Sequence, residues 1–317
     1  MLRYVVLKLI TIVPTMLILS SVNFILLHLS PGDPVQLLTG QWEPSPELKS
    51  RIEKEFGLNE PLYIQYFYFM FNTLRLEFGN SIMFREPVMN VLMSKFVITF
   101  ALMAMALLFS LGGIALAIIG AWITGRIGQV IASLSTVGYS FPLFWLCQVL
   151  MFVFGYSLGV FPLGGLPEYN QGDMWTYILQ YIHHLTLPAI ALSATQFSII
   201  AKVGRAGLIE ALRKPFVVMA LSQGLAYRSV VVKHALKDVI PTLVTIIGLR
   251  LAYVISGAVI VEYIFSIPGL GGLLVLALAA RDYPLALGVL YFFTLLVVLA
   301  HFLTDVVHAK LDPRVNV

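Results

Sequence analysis

The sequence predicts an all-α polytopic membrane protein with six transmembrane helices, and three observations carry that prediction. Of its 317 residues, 59% are hydrophobic and 11% charged, against roughly 25% charged in soluble domains; mean hydropathy is +0.90. Apolar stretches near the roughly 20 residues needed to cross a bilayer recur at Leu9–Leu29, Phe96–Trp122, Val130–Tyr156, Leu185–Ala201, Val239–Ile264 and Leu285–Val307. Between the fourth and fifth lies a polar, cationic interruption from Lys202 to Lys237.

The first stretch follows Arg3 and Lys8, as in a signal peptide, but it is long for a signal h-region. It ends in helix-stopping Ser30-Pro31-Gly32-Asp33-Pro34 with no small-x-small cleavage site, so we expect an uncleaved first span. The second carries Gly112, Gly113, Ala115, Ala117, Gly120 and Ala121. Small residues let helices approach closely, and this face could pack within the subunit or against another. In the third, Phe141-Pro142 predicts a kink. The fourth is the shortest and is expected to extend at one end.

Positive charge sets orientation. With the N-terminus inside, the cytoplasmic pieces hold Arg3, Lys8, Arg126, Lys310, Arg314 and the seven cations Lys202, Arg205, Arg213, Lys214, Arg228, Lys233 and Lys237. Outside lie Lys49, Arg51, Lys54, Arg75, Arg85, Lys95 and Arg281, six of them in one long loop where the rule is weak. Both termini are therefore expected in the cytoplasm. The expected division is an N-terminal helix to residue 29, an extracytoplasmic region over 30–95, a core over 96–307 with a cytoplasmic loop at 202–237, and a tail over 308–317.

In the outer region, Ser45 and Pro46 open a helix that Gly57 can close, with an apolar stripe at Leu48, Ile52 and Phe56. Pro61–Phe71 is rich in Tyr and Phe, which suits a membrane–water interface. The region reads as a lid on the outer ends of the spans, or as part of a docking face for an external partner.

Several chemistries lack their motifs. No G-x-x-x-x-G-K-[ST] phosphate loop occurs, so any ATP hydrolysis falls to another chain. No H-E-x-x-H, G-x-S-x-G or Cys/His ligand cluster occurs, and Cys147 is the only cysteine. No metal, resident cofactor or catalytic residue is expected. The cations flank spans, so topology explains them without nucleic acid. His183-His184 reads as an interfacial pair; His301 and His308 share a helical face without ligands around them beyond Asp305.

Arg250 is the outstanding charge within a span. A buried arginine costs several kcal/mol unless paired or hydrated. It either lines a permeation path or subunit interface, or pairs structurally with backbone carbonyls or with Glu262 or Asp305. Glu262, near the outer end of the fifth span, is a second pathway candidate, though an interfacial position suits it better. So few acids within the spans argue against an ion-driven secondary transporter, which remains the alternative class, and no polar constellation suggests a membrane enzyme.

The chain resembles the first permease of the dipeptide/oligopeptide/nickel family of binding-protein-dependent ABC importers over almost its whole length. Ser30-Pro31-Gly32-Asp33-Pro34 resembles that family's PGDP; Phe56-Gly57-Leu58-Asn59-Glu60-Pro61-Leu62-Tyr63 its LGLDxPLY; and Phe78-Gly79-Asn80-Ser81 its DFGxS. Phe265 to Gly271 resembles FxxPGLG, Arg281-Asp282-Tyr283-Pro284 resembles RDYP, and Asp305 to Arg314 resembles VDxxYxxxDPR. Ala220 to Gly224 and Lys233 to Pro241 resemble the EAA coupling loop, with Leu221 and Ser222 replacing a usual polar pair and Arg250 a common glutamine.

The resemblance implies a type I ABC importer permease core in a prokaryotic plasma (inner) membrane. It implies a homologous second permease, two ATP-binding subunits that hold ATP and Mg, an extracytoplasmic solute-binding protein, and lipid around the spans. Di- or oligopeptides are the expected cargo, with nickel chelates or oligosaccharides as alternatives. The residues expected to meet the ATPase are Ala220 and Gly224 through close approach, Leu221 and Leu225 through apolar contact, and Arg228 and Lys233 through polar contact, with Pro241 closing the motif.

Overall fold

Long apolar runs fold as helices because only helices and closed barrels satisfy every backbone group in lipid. The computed structural model describes residues 2–29, 45–47, 50, 59–123, 128, 130, 133, 138–168 and 173–311. In order these form α1 (Leu2–His28), α2 (Leu62–Leu74), α3 (Val88–Trp122), α4 (Leu143–Leu150, continued by a π-helical stretch Met151–Ser157), α5 (Met174–Ala211), α6 (Pro215–Ser222), α7 (Tyr227–Ile264, with a π-helical stretch at Val231–Ala235), α8 (Leu270–Ala279) and α9 (Tyr283–Leu311). Among the described residues four helices, α3, α5, α7 and α9, are long and apolar enough to cross a membrane.

The helices differ from the expected spans in instructive places. α3 starts at Val88, ahead of the expected Phe96, because Val88, Val91 and Leu92 are themselves core residues. The third stretch is interrupted rather than kinked. Pro142 (φ −59°, ψ 137°) stands outside the helix and α4 begins after it, as a residue preceding proline disfavours helical backbone. The fourth span extends at both ends. α8 was not anticipated; its 10 residues rise only about 15 Å, half a hydrocarbon core. Most of the Ser45–Gly57 stretch, with its Leu48, Ile52 and Phe56 stripe, lies outside the described residues, as do the PGDP segment, Arg126 and Arg314.

The chain divides into two compact units, one of Phe100–Ile267 and Ala300–Val317, the other of Leu2–Thr99 and Pro268–Leu299. In the first, the small residues of α3 face α5. A Cβ on Gly113 would come within 2.5 Å of the Phe197 carbonyl oxygen, and one on Gly204 within 2.9 Å of Ala117. This face therefore packs within the subunit. α5 then packs along α7 through Gly204 on Leu243, Gly207 on Val239 and Leu192 on Gly257, while Gly248 of α7 receives Thr304 of α9. Ala117, Ile200, Leu208, Val239 and Leu243 lie in one core cluster.

In the second unit, Phe24 of α1 sits between Tyr66 and Phe69 of α2, with ring centroids 5.5 and 5.4 Å away. Ser21 and Tyr66 share a 2.7 Å hydrogen bond. The aromatic run of α2 thus grips α1 as well as presenting exposed rings such as Tyr63 and Phe67. The α8 N-terminus is capped by Thr99, whose Oγ1 accepts from the Leu270 N–H at 2.7 Å. A buried knot forms around Asp282: Oδ2 accepts from Ser81 Oγ (2.5 Å) and Met83 N (3.0 Å), and Oδ1 accepts from Leu285 N (3.1 Å), starting α9.

Candidate functional site: the polar hairpin and the exposed face of α7

The cationic interruption folds as a hairpin of two helices. α5 ends at Ala211, a short turn leads to Lys214 in extended backbone, and Pro215 opens α6 at its first position. Proline suits that position because its missing N–H has no helical acceptor there. Gly224 (φ +81°) closes α6, with Gly224 N donating to Leu221 O at 3.0 Å. Its left-handed backbone is the reason for glycine. No atom of this chain lies within 4 Å of a Cβ built there, so within the subunit it is the backbone that requires glycine.

α6 has two faces. Val217, Ala220 (6% exposed) and Val230 form a buried cluster with Leu212 and Leu221 packed against it. Phe216, Val218 and Met219 (63% exposed) point outward, as do Ser222 and Leu225. Of the two residues expected to meet a partner here, Ala220 is buried and Leu221 is half-buried against this cluster. They lie one helical turn from Val217 and close the helix down on the start of α7, whereas Leu225 is exposed. Phe216 and Met219 were missed. Their sequence signal was a one-turn spacing, hidden because Val217, Val218 and Ala220 beside them are equally apolar.

The cations also sort into two sets. Lys214 Nζ donates to Asp238 Oδ2 at 2.6 Å, stapling the turn to α7. That hydrogen bond, helped by the nearby negative charges of Asp238 and Glu210, raises the lysine pKa above its ordinary value. Arg205 Nε donates to the Gly120 carbonyl at 3.0 Å. Arg228 lies 3.9 Å over the Trp122 ring, so this guanidinium, expected to meet polar partner groups, is engaged with α3. Lys202, Arg213, Lys233 and Lys237 are exposed. Pro241 lies inside α7, after the π-helical stretch.

Farther along α7, Leu249, Tyr253, Ser256 and Ile260 form an exposed stripe at alternating four- and three-residue spacing, one side of a helix. Arg250 flanks it, half-buried, its guanidinium 4.8 Å from the Tyr253 ring centroid. Glu262 lies on another side, fully buried among Val254, Ala258 and Val261. It is off the stripe, and 12 residues of helix hold it about 18 Å from Arg250, beyond pairing distance. The buried oxygen Gln196 Oε1 of α5 has no hydrogen-bond partner. The two histidines bind backbone: His183 Nε2 lies 2.9 Å from Val160 O, and His184 Nδ1 lies 3.1 Å from Gly165 O.

Residues 110–317 match the family described as binding-protein-dependent transport system inner membrane component, and residues 1–103 match its N-terminal companion. The chain belongs to this family. It is a permease subunit of a binding-protein-dependent importer. The permease is 31% identical to a probable peptide ABC transporter permease of Sinorhizobium fredii, over 99% of each chain. It is 32% identical to a glutathione transport system permease of Salmonella typhimurium and 31% identical to a di/tripeptide transport system permease of Pseudomonas aeruginosa, each over 100% of this chain and 99% of the relative. Within the permease, two segments that carried the resemblance, Phe78–Ser81 and Arg281–Pro284, meet through the Ser81–Asp282 hydrogen bond.

Proposed function

We propose that the permease is half of the translocation pathway of an ATP-driven peptide importer in a prokaryotic inner membrane, with six spans and both termini cytoplasmic. The names of its relatives, which specify peptide, glutathione and di/tripeptide transport, support the substrate class. Its partners are a homologous second permease, two ATP-binding subunits and an extracytoplasmic binding protein. Residues 30–95 serve the outer face, 96–307 the core, 202–237 the coupling loop and 308–317 the tail. ATP and Mg belong to the ATP-binding subunits; this chain supplies no group to hydrolysis.

One observation carries the coupling assignment: α6 exposes Phe216, Val218 and Met219 while its other face is fastened to the permease. Apolar side chains on a short helix in a polar hairpin suit a groove of a soluble partner. Motion of that partner would pass through the Val217–Ala220–Val230 cluster and the Lys214–Asp238 staple into α7. α7 carries Arg250 and the exposed stripe, which we assign to the pathway or to the interface with the second permease. A charge retained there requires water or an acceptor.

The test is ATPase activity of the complex purified in lipid, with and without peptide-loaded binding protein. Stimulation by the peptide-loaded form is expected. Stimulation only by sugar- or metal-loaded protein overturns the substrate class, and no associated ATPase overturns the coupling assignment. Arg250→Gln separately tests α7: unchanged transport together with unchanged assembly removes Arg250 from both pathway and interface.

A further inference from the structure

One pocket, of about 400 Å³, lies wholly within the second unit. Its lining includes Phe69 and Asn72 of α2, Glu77, Phe78 and Asn80 of the following turn, and Leu287 of α9. We infer that it receives a basic side chain, lysine or arginine, of the extracytoplasmic binding protein. This rests on the proposed orientation, which puts the α2–α3 connection on the outer face.

The chemistry of the walls selects a cation. Glu77 is an exposed carboxylate without an ion pair among the described residues, and no lysine or arginine lines the pocket. Asn72 and Asn80 bring side-chain carbonyl oxygens, which accept from ammonium or guanidinium N–H groups. Phe69 and Phe78 offer aromatic faces, which attract cations. An anion would find neither charge nor dedicated donor beyond the two amide NH2 groups. An apolar side chain would leave the carboxylate and both amides facing it without compensation.

The pocket is also built in advance. Phe78 rests against Tyr291 with centroids 5.3 Å apart, and Phe69 stacks on Phe24. Gly79 takes the left-handed turn (φ +74°), Val88 N donates to its carbonyl at 3.0 Å, and Asn80 bridges to Pro87. Glu77 N donates to Asn72 O at 2.8 Å, fixing where the carboxylate leaves the chain. One residue beyond Asn80, Ser81 is anchored on Asp282. The volume is near the lower bound of small-ligand sites, roughly 300 Å³. It admits one long side chain with its head at Glu77 and water around it, and a docking protein gains most from a preformed socket because little ordering cost remains.

The experiment measures the affinity of solute-loaded binding protein for the permease–ATPase complex in lipid nanodiscs. Glu77→Gln should weaken it about 3- to 5-fold, the range of an exposed ion pair, and Asn72→Asp, which adds a carboxylate, should tighten it. Glu77→Lys should weaken it further, by about 20-fold, and reversing one basic residue of the binding protein to glutamate should restore affinity for that variant. If Glu77→Gln leaves this affinity unchanged, the inference is overturned. A selective rise in KM for solutes with a free amine, lost on N-acetylation, would instead give the pocket to the solute. If the wild-type complex shows no response to any binding protein, the functional proposal fails; if it responds and the Glu77 variants match it, only the pocket assignment fails.

Discussion

The knot around Asp282 and the hairpin around α6 are both polar places in an apolar chain, and they handle polarity in opposite ways. Asp282 is fully buried, and both of its oxygens are engaged, by Ser81, Met83 and Leu285. The hairpin leaves four cations and an apolar helix face outside. Buried polar groups are tolerated only when hydrogen-bonded, so the knot answers to stability. Exposed apolar groups that a monomer does not need suggest a partner. A variant in each place should therefore fail a different assay.

The largest effect is expected at the knot. Asp282→Ala removes the acceptor of three hydrogen bonds and strands the Ser81 hydroxyl and the Met83 N–H. Hydrogen bonds to charged groups contribute about 1.5–3 kcal/mol each, but bonds sharing one carboxylate are not additive, so about 3–5 kcal/mol is expected overall, the usual cost of breaking a buried charged network. Thermal unfolding in detergent reads this directly. A melting curve like wild type would end the view that this knot holds the second unit.

Next comes the outward face of α6. Met219→Asp should break ATPase association by about 2 kcal/mol, a typical apolar anchor, and leave the permease melting temperature unchanged. Ala220→Asp, on the inward face, should unfold the hairpin because it buries a charge against Val217 and Val230. Co-purification and melting together separate the two. If Met219→Asp destabilises the permease and retains its ATPase, the two faces are assigned the wrong way round.

The location of this hairpin was legible in the sequence, but its direction was not. Seven cations between two apolar runs marked the segment, and Pro215 and Gly224 bracket its helix. Yet Phe216, Val217, Val218, Met219 and Ala220 are consecutive apolar residues, so no period distinguishes inside from outside over eight residues. At Glu262, a position near the outer end of the fifth span gave no sign that the carboxylate side chain is fully buried, on a helix side with buried Val254, Ala258 and Val261. The Ser81–Asp282 bond joins residues 201 apart; each motif was visible, but nothing local in either one names the other. Pro142 was read as a kink because the apolar run continues on both sides, whereas the backbone before a proline favours extension.

Gly224 tests the hairpin by geometry alone. Gly224→Val places a β-branched side chain at φ +81° in open space, so only backbone strain, about 1–2 kcal/mol, opposes it. Gly224→Asn should be milder, since asparagine visits this region. Transport should fall for valine more than for asparagine, with insertion intact for both. Equal transport by the two would mean that Gly224 serves something other than the turn that ends α6.

The smallest effect is expected at Lys214. Its partner Asp238 raises the lysine above 10.5, the ordinary value, so the folded state holds this proton more tightly than the unfolded chain does. The pair's contribution is then fully present below the ordinary lysine range and lost as pH rises through the raised folded value. Both groups are substantially exposed, and exposed pairs contribute little and are screened by salt. Lys214→Met should leave transport near wild type at neutral pH, with a slight gain in hydrogen exchange of α6 amides that high salt imposes on wild type as well. A large loss of coupling in Lys214→Met, with α6 exchange unchanged, would mean that the lysine acts on the ATPase directly. It would then belong with the exposed cations rather than with those that fasten the hairpin.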